Sequence, residues 1–233
     1  MTRVPQPAGQ RGSLKWIQQA INRHANILED PIAKALQEGG RIVWKSPLEG
    51  DEFAEYRDGA FLEAIGQGKL AVPLSAFWPQ RGPQWDALGT TTSGKVLLVE
   101  AKAHIGEICS PASAASGESR AIIERSLAAT ALHMGARNLK APWIEAFYQL
   151  ANRFAHLHFL RANGVEAWLI LVNFVGDEEM NGPRSAAEWE AAYKVVYHVM
   201  GISSQNSLSR FIVHLCPSVS QLRRPIGCQP SLA

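Results

Sequence analysis

Asp86, Glu100 and Lys102 are the residues of this chain whose types and spacing could act on a phosphodiester. Glu100 and Lys102 interrupt an otherwise apolar, β-branched run from Val96 to His104. Side chains alternate along a strand, so the two charges point to one face together with Val96, Leu98 and His104, while Leu97, Val99 and Ala101 take the other. Carboxylates are seldom buried unless they are paired or hold a metal. Two of them offer hard oxygen ligands to Mg²⁺ or Mn²⁺, ions that keep open positions for water and phosphate. Such an ion acidifies a water and neutralises a phosphate, and the Lys102 ammonium is suited to hold that water or to offset charge in the transition state.

The elements that must position these groups are legible nearby. Val96 to His104 has the length and composition of a buried strand. Trp85 to Gly89 reads as a shorter strand, and Thr90 to Gly94 (TTTSG) is rich enough in turn residues to join the two as a hairpin. That return brings Asp86 beside Glu100. The alternative is a plain cross-strand ion pair on a solvated face. Against it, VLLVEA is apolar on both faces.

In its Asp86 … Glu100-Ala101-Lys102 pattern the chain resembles the PD-(D/E)xK nuclease superfamily, although Trp85 stands where that family often has Pro. The resemblance implies a restriction-endonuclease-like α/β fold, with a helix, three strands, a helix and a strand building a central mixed sheet flanked by helices. Over this chain that order is expected at about residues 51–175. It also implies hydrolysis of nucleic acid, DNA before RNA, with Mg²⁺ or Mn²⁺ held by Asp86 and Glu100, Lys102 assisting, and a homodimer as a common state. The family's first core helix often adds a carboxylate. Here that helix is expected over 51–65, ended by Gly66, and Glu55 is the first choice, then Asp58, over Glu52 and Glu63. By the same resemblance Gln149 and Arg153, on a later helix, are candidates near the substrate. Arg81 and Gln84 precede Asp86 in a loop and are placed to touch phosphate. The rival function is a non-catalytic nucleic-acid-binding or protein-interaction module that retains the fold.

The rest of the chain sets bounds. Its 233 residues suffice for one good-sized core, and residues 13–220 are read as a single α/β domain between a loose start (1–12) and an extended tail (221–233). A net charge of +2 is too mild to indicate nucleic-acid binding by itself. Three cysteines, Cys109, Cys216 and Cys228, show neither CxxC pairing nor zinc spacing, which favours a reducing cytoplasm. Neither a signal peptide nor a membrane-spanning run is visible. The histidines lack HExxH spacing, and there is no Walker loop and no GxGxxG. Two N-terminal helices are expected as an addition to the core, the first capped by Ser13 and the second opening at Asp30-Pro31. Arg41 to Lys45 is expected as an edge strand, Leu70 to Phe77 as the first core strand, and Glu107 to Ser119 as a loop over the centre. Helices over 118–135 and 141–162, a buried strand at Val165 to Val175, a helix over 185–200 and an edge strand at Phe211 to Cys216 complete the reading.

Overall fold

The computed structural model describes residues 2–137 and 143–223. Among them, five strands form a mixed sheet flanked by helices on both faces. Its centre is the hairpin of β4 (Ala87–Thr91) and β5 (Val96–Lys102), paired antiparallel with Ala87 opposite Val99 and Leu88 opposite Leu98. The turn closes through Thr91 N–H to the Lys95 carbonyl, and Gly94 at φ +92° takes a backbone conformation that costs a glycine nothing. On the far side of β5, β6 (Ala167–Asn173) runs parallel, with Lys102 beside Asn173. Both strands are buried along their whole length, as continuous apolar runs require. The edges are β2 (Ile42–Ser46), antiparallel to β4, and β7 (Ile212–Leu215), parallel to β6.

One face, through Leu97, Val99, Ala101, Ile170 and Val172, packs under α1 (Gly12–Arg23) and α2 (Asn26–Leu36). The other, through Val96, Leu98, Leu169 and Leu171, packs under α5 (Gly117–His133), α6 (Tyr148–Ala162) and α7 (Ala186–Met200). Each fully buried Leu, Ile or Val contributes about 1.5–3 kcal/mol over its exposed state, so both layers hold the sheet.

Several expectations are corrected here. The two N-terminal helices are no addition, because they cover one whole face of the sheet, and β2 joins that sheet from outside the expected core of 51–175. Ser13 does not cap α1; its hydroxyl donates to Glu107 at 2.8 Å. Helix α2 opens before Asp30 and carries Pro31 inside it. Residues 2–4 are not loose: β1 (Thr2–Val4) pairs antiparallel with β3 (Glu55–Arg57). The single helix expected over 51–65 is broken, since Glu52, Phe53 and Asp58 take positive φ, leaving β3 and a short α3 (Gly59–Ala64). Leu70 to Phe77 is helical, as α4 (Ala71–Phe77), where Pro73 occupies the first turn and its missing N–H is harmless. A short α8 (Val219–Leu222) follows β7 and takes in the first two residues of the tail expected as extended over 221–233, whose part from 224 onward, with Cys228, lies outside the described residues; the helix expected over 141–162 opens only at Tyr148, with 143–146 as turn and 141–142 outside the described residues. No described helix is long and apolar enough to cross a membrane.

Candidate active site

The hairpin register that pairs Ala87 with Val99 sets Asp86 opposite Glu100. Asp86 Oδ2 accepts the Ala101 N–H at 2.7 Å, which pins the carboxylate to the strand next to Glu100. Glu100 is 2% exposed, with Lys102 Nζ on Oε1 and Arg153 Nε on Oε2. Lys102 Nζ also donates to Gln149 Oε1 at 2.8 Å. Asp86, Glu100, Lys102, Gln149 and Arg153 therefore meet at one end of the β4–β5 pair, on the face covered by α6.

Arg153 is fixed on every side. Besides Glu100 it donates to Asn152 Oδ1 at 2.9 Å and to the Gln84 carbonyl at 2.7 Å, and its guanidinium lies 4.8 Å from the centre of the Trp85 ring. A guanidinium over an indole face is favourable, more so out of water. Trp85, in the position the resemblance would give to Pro, forms that platform. Glu55 reaches the same cluster from β3, not from a helix, and accepts from Gln84 and, at 3.3 Å, from Gln6. Of the other acids considered, Asp58 accepts the Gly82 N–H at 2.9 Å and Thr2 Oγ1 at 3.2 Å, away from the cluster. Glu52 pairs with Arg3 at the surface. Arg81 is exposed and borders the neighbouring pocket, not this cleft.

The cleft itself, about 420 Å³, is walled by Glu55, Gln84 and Asp86 on one side and by Tyr148, Gln149 and Ser110 to Ala114 on the other. The Ser/Ala/Pro loop thus stands over the carboxylates. Its Ser110 Oγ accepts the Gln149 N–H at 2.8 Å and ties the loop to α6. Ser110 falls in the loop expected over the centre, and Tyr148 is a liner that sequence reading passed over, for lack of any short motif around it.

The electrostatics divide the acids. Burial, then the Glu100 and Glu55 charges, push the Asp86 carboxyl well above the usual range, against the weaker pull of Lys102 and Arg153. Burial likewise raises Glu55, opposed by Gln84 and Arg153. Burial acts the same way on Glu100, but Arg153 and Lys102 overcome it and leave that carboxylate below the usual range. Three carboxylates face two cations, and the deficit of positive charge falls on Asp86.

That deficit, at a carboxylate bordering an open cleft, fits an oxygen-ligated dication. Among the described residues no three His, Cys, Asp or Glu side chains converge on one ion position. An ion here would rest on Asp86 and Glu100 and complete its shell from water and substrate, which is how Mg²⁺ is commonly bound. Both Glu100 oxygens already accept a hydrogen bond, and each keeps a second lone pair for a ligand. Comparison with known proteins finds no matching family model, no matching curated protein and no matching solved structure.

Proposed function

We propose that the chain is a metal-dependent nuclease that hydrolyses phosphodiester bonds of nucleic acid, DNA foremost, on a restriction-endonuclease-like core. The observation that supports this most is the meeting of Asp86, Glu100 and Lys102 at one end of a buried antiparallel pair, beneath a cleft. The order of elements supports it too. A helical layer (α1, α2), three strands (β2, β4, β5), a helical layer (α5, α6) and a strand (β6) follow the sequence that the resemblance implies, with residues 47–86 as an insertion between the first two strands.

In this reading Asp86 and Glu100 hold Mg²⁺ or Mn²⁺, which when bound would neutralise the phosphate and acidify an attacking water. Lys102 has three N–H donors, two of them given to Glu100 and Gln149. The third, which has no partner among the described residues, would hold the water or meet charge gathering on phosphate oxygen. Gln149 fixes the direction of that ammonium. Arg153 acts behind Glu100 and keeps it ionised, a positioning role. Glu55, braced by Gln84, adds negative charge beside Asp86 and so strengthens the site's demand for a cation.

The test is nicking of supercoiled plasmid with Mg²⁺ or Mn²⁺. Wild type is expected to nick, chelator to abolish nicking, and Lys102→Ala or Asp86→Asn to lose about 10²–10⁴-fold in rate, the range of one positioned proton-transfer or charge-stabilising group. Equal rates in wild type and both variants would remove this centre. Binding of DNA by wild type without cleavage under any metal would favour the non-catalytic module.

A further inference from the structure

A second cavity of about 550 Å³ adjoins the cleft, and Gly82 lies on the wall of both. A Cβ at 82 would sit tightly against Trp78 at 3.2 Å and in contact with Asp58 Oδ1 at 3.4 Å and His156 Nε2 at 3.6 Å, so Gly82 lies close against all three. Two guanidiniums, Arg57 from β3 and Arg81 from the turn after α4, border the cavity, and among the described residues neither has an acidic partner within ion-pair distance. Among the described residues Arg57 Nε is buried without a hydrogen-bond acceptor. Orphaned buried donors are uncommon and call for a partner.

The same lining carries an acceptor. His156 is 1% exposed and its Nδ1 lies 2.8 Å from the Asn152 carbonyl, which only accepts, so Nδ1 bears the proton and Nε2 is left as a lone pair at the cavity. Burial, then the nearby Arg153 charge, push this imidazole down to about 3, against the Asn152 carbonyl, and it stays neutral. Trp78 supplies an aromatic edge against it, with ring centres 4.9 Å apart. The backbone is held against its preference here: Asp58 (φ +55°) and Arg81 (φ +65°) are non-glycine residues with positive φ, and the two turns are tied together by the Gly82 N–H donating to Asp58 Oδ1 at 2.9 Å. Such conformations gather at ligand sites.

We propose that this cavity binds one nucleotide unit of the strand whose neighbouring phosphate lies in the carboxylate cleft, with Arg57 and Arg81 on its phosphate and His156 Nε2 and Trp78 meeting its base. The proposal rests on the nuclease reading for the word strand, and on the cavity alone for the nucleotide. Its volume lies within the range of small-molecule sites and far exceeds what a phosphate needs. An acceptor and two cations in one lining suit a ligand that is anionic at one end and a hydrogen-bond donor at the other, as a nucleotide whose base carries an exocyclic amine is. A free nucleotide offers the same chemistry, so both sources enter the test.

The experiment is equilibrium binding to the full chain in chelator, with no cleavage possible. The probes are deoxyadenosine, inorganic phosphate, dAMP and a 5′-phosphorylated four-nucleotide DNA. The expected result is dAMP bound at least tenfold tighter than either deoxyadenosine or phosphate, and the tetranucleotide at least tenfold tighter again. Arg57→Gln and Arg81→Gln should each weaken both nucleotides by tenfold or more, while Arg120→Gln on α5 binds as wild type. Arg81 is exposed, so its variant keeps the fold, and an unchanged melting temperature verifies that. Absence of dAMP binding, or equal binding by wild type and both arginine variants, overturns the site. Equal affinity for dAMP and the tetranucleotide overturns the strand assignment in favour of a free nucleotide. Plasmid nicking in the same preparations separates the two readings: binding lost in Arg81→Gln with no nicking by wild type leaves this pocket standing and the nuclease fallen, and nicking with no nucleotide binding does the reverse.

Discussion

The two faces of β5 solve different problems with one strand. Leu97, Val99 and Ala101 look toward α1 and α2 and belong to an apolar cluster, whereas Val96 and Leu98 on the other face give way to Glu100 and Lys102 beneath α6. The first face can be described by area removed from water. The second is a buried charge cluster, whose attraction is set against a desolvation cost of similar size, so it adds little stability for its complexity. What that cluster provides is a fixed arrangement of acids at a cleft. The difference teaches that the same secondary structure, buried to the same degree, packs apolar side chains on one side and holds a charge cluster on the other.

Removing one charge tests the contrast most strongly. Arg153→Ala leaves Glu100 and the Gln84 carbonyl without their main donor, and the expected loss is about 3–5 kcal/mol in denaturant unfolding. A loss under about 1 kcal/mol would mean that the cluster is wetter than its burial implies. Leu97→Ala, on the apolar face, is expected to cost about 2–5 kcal/mol by cavity formation while leaving the nicking rate of the folded fraction unchanged. A change in rate would show that the two faces are not independent.

Asp86→Asn is expected to act in the opposite direction and to stabilise the metal-free protein. Because the folded carboxyl is raised above its unfolded value of about 3.9, the native state binds the extra proton between the two values. Stability from this group is intact at low pH and is lost as pH rises through that window, so the gain of the Asn variant grows with pH and then levels off. Mg²⁺ should raise the melting temperature of wild type and not of Asp86→Asn. A variant less stable than wild type at neutral pH would contradict the charge deficit at Asp86. The smallest effect is expected away from both faces. Arg120→Ala breaks an exposed i,i+4 pair with Glu124 on α5 and should change stability by no more than about 0.5 kcal/mol.

The hairpin and its facing acids were readable because a strand has period two and because TTTSG has the chemistry of a turn. The parallel strand β6 was readable from its unbroken apolar run. Leu70 to Phe77 misled because LAVPLSAF has the length and hydrophobicity of a strand. Pro73 is as compatible with a helix's first turn as with an edge, and the contacts of Leu70 and Leu74 in the core tip the balance toward α4. The 51–65 segment misled because its helical spacing is real, yet Glu55 to Arg57 finds a strand partner in residues 2–4, far away in the chain. Gln149 and Arg153 entered by resemblance, and their bonds to Lys102 and Glu100 appear only once α6 lies over the sheet.

The sequence by itself determined what is local and periodic: the β4–β5 pair, the side on which Glu100 and Lys102 fall, and most of the helices that cover the sheet. Tertiary structure alone decided which distant groups complete that end of the sheet. Glu55 arrives on a strand paired with the N-terminus, Arg153 comes from a helix far along the chain, and Gly82 lines both the cleft and a second cavity. Those contacts join segments with no shared period, and their energies depend on burial and on each other's charge, which no stretch of residues specifies before the chain has folded.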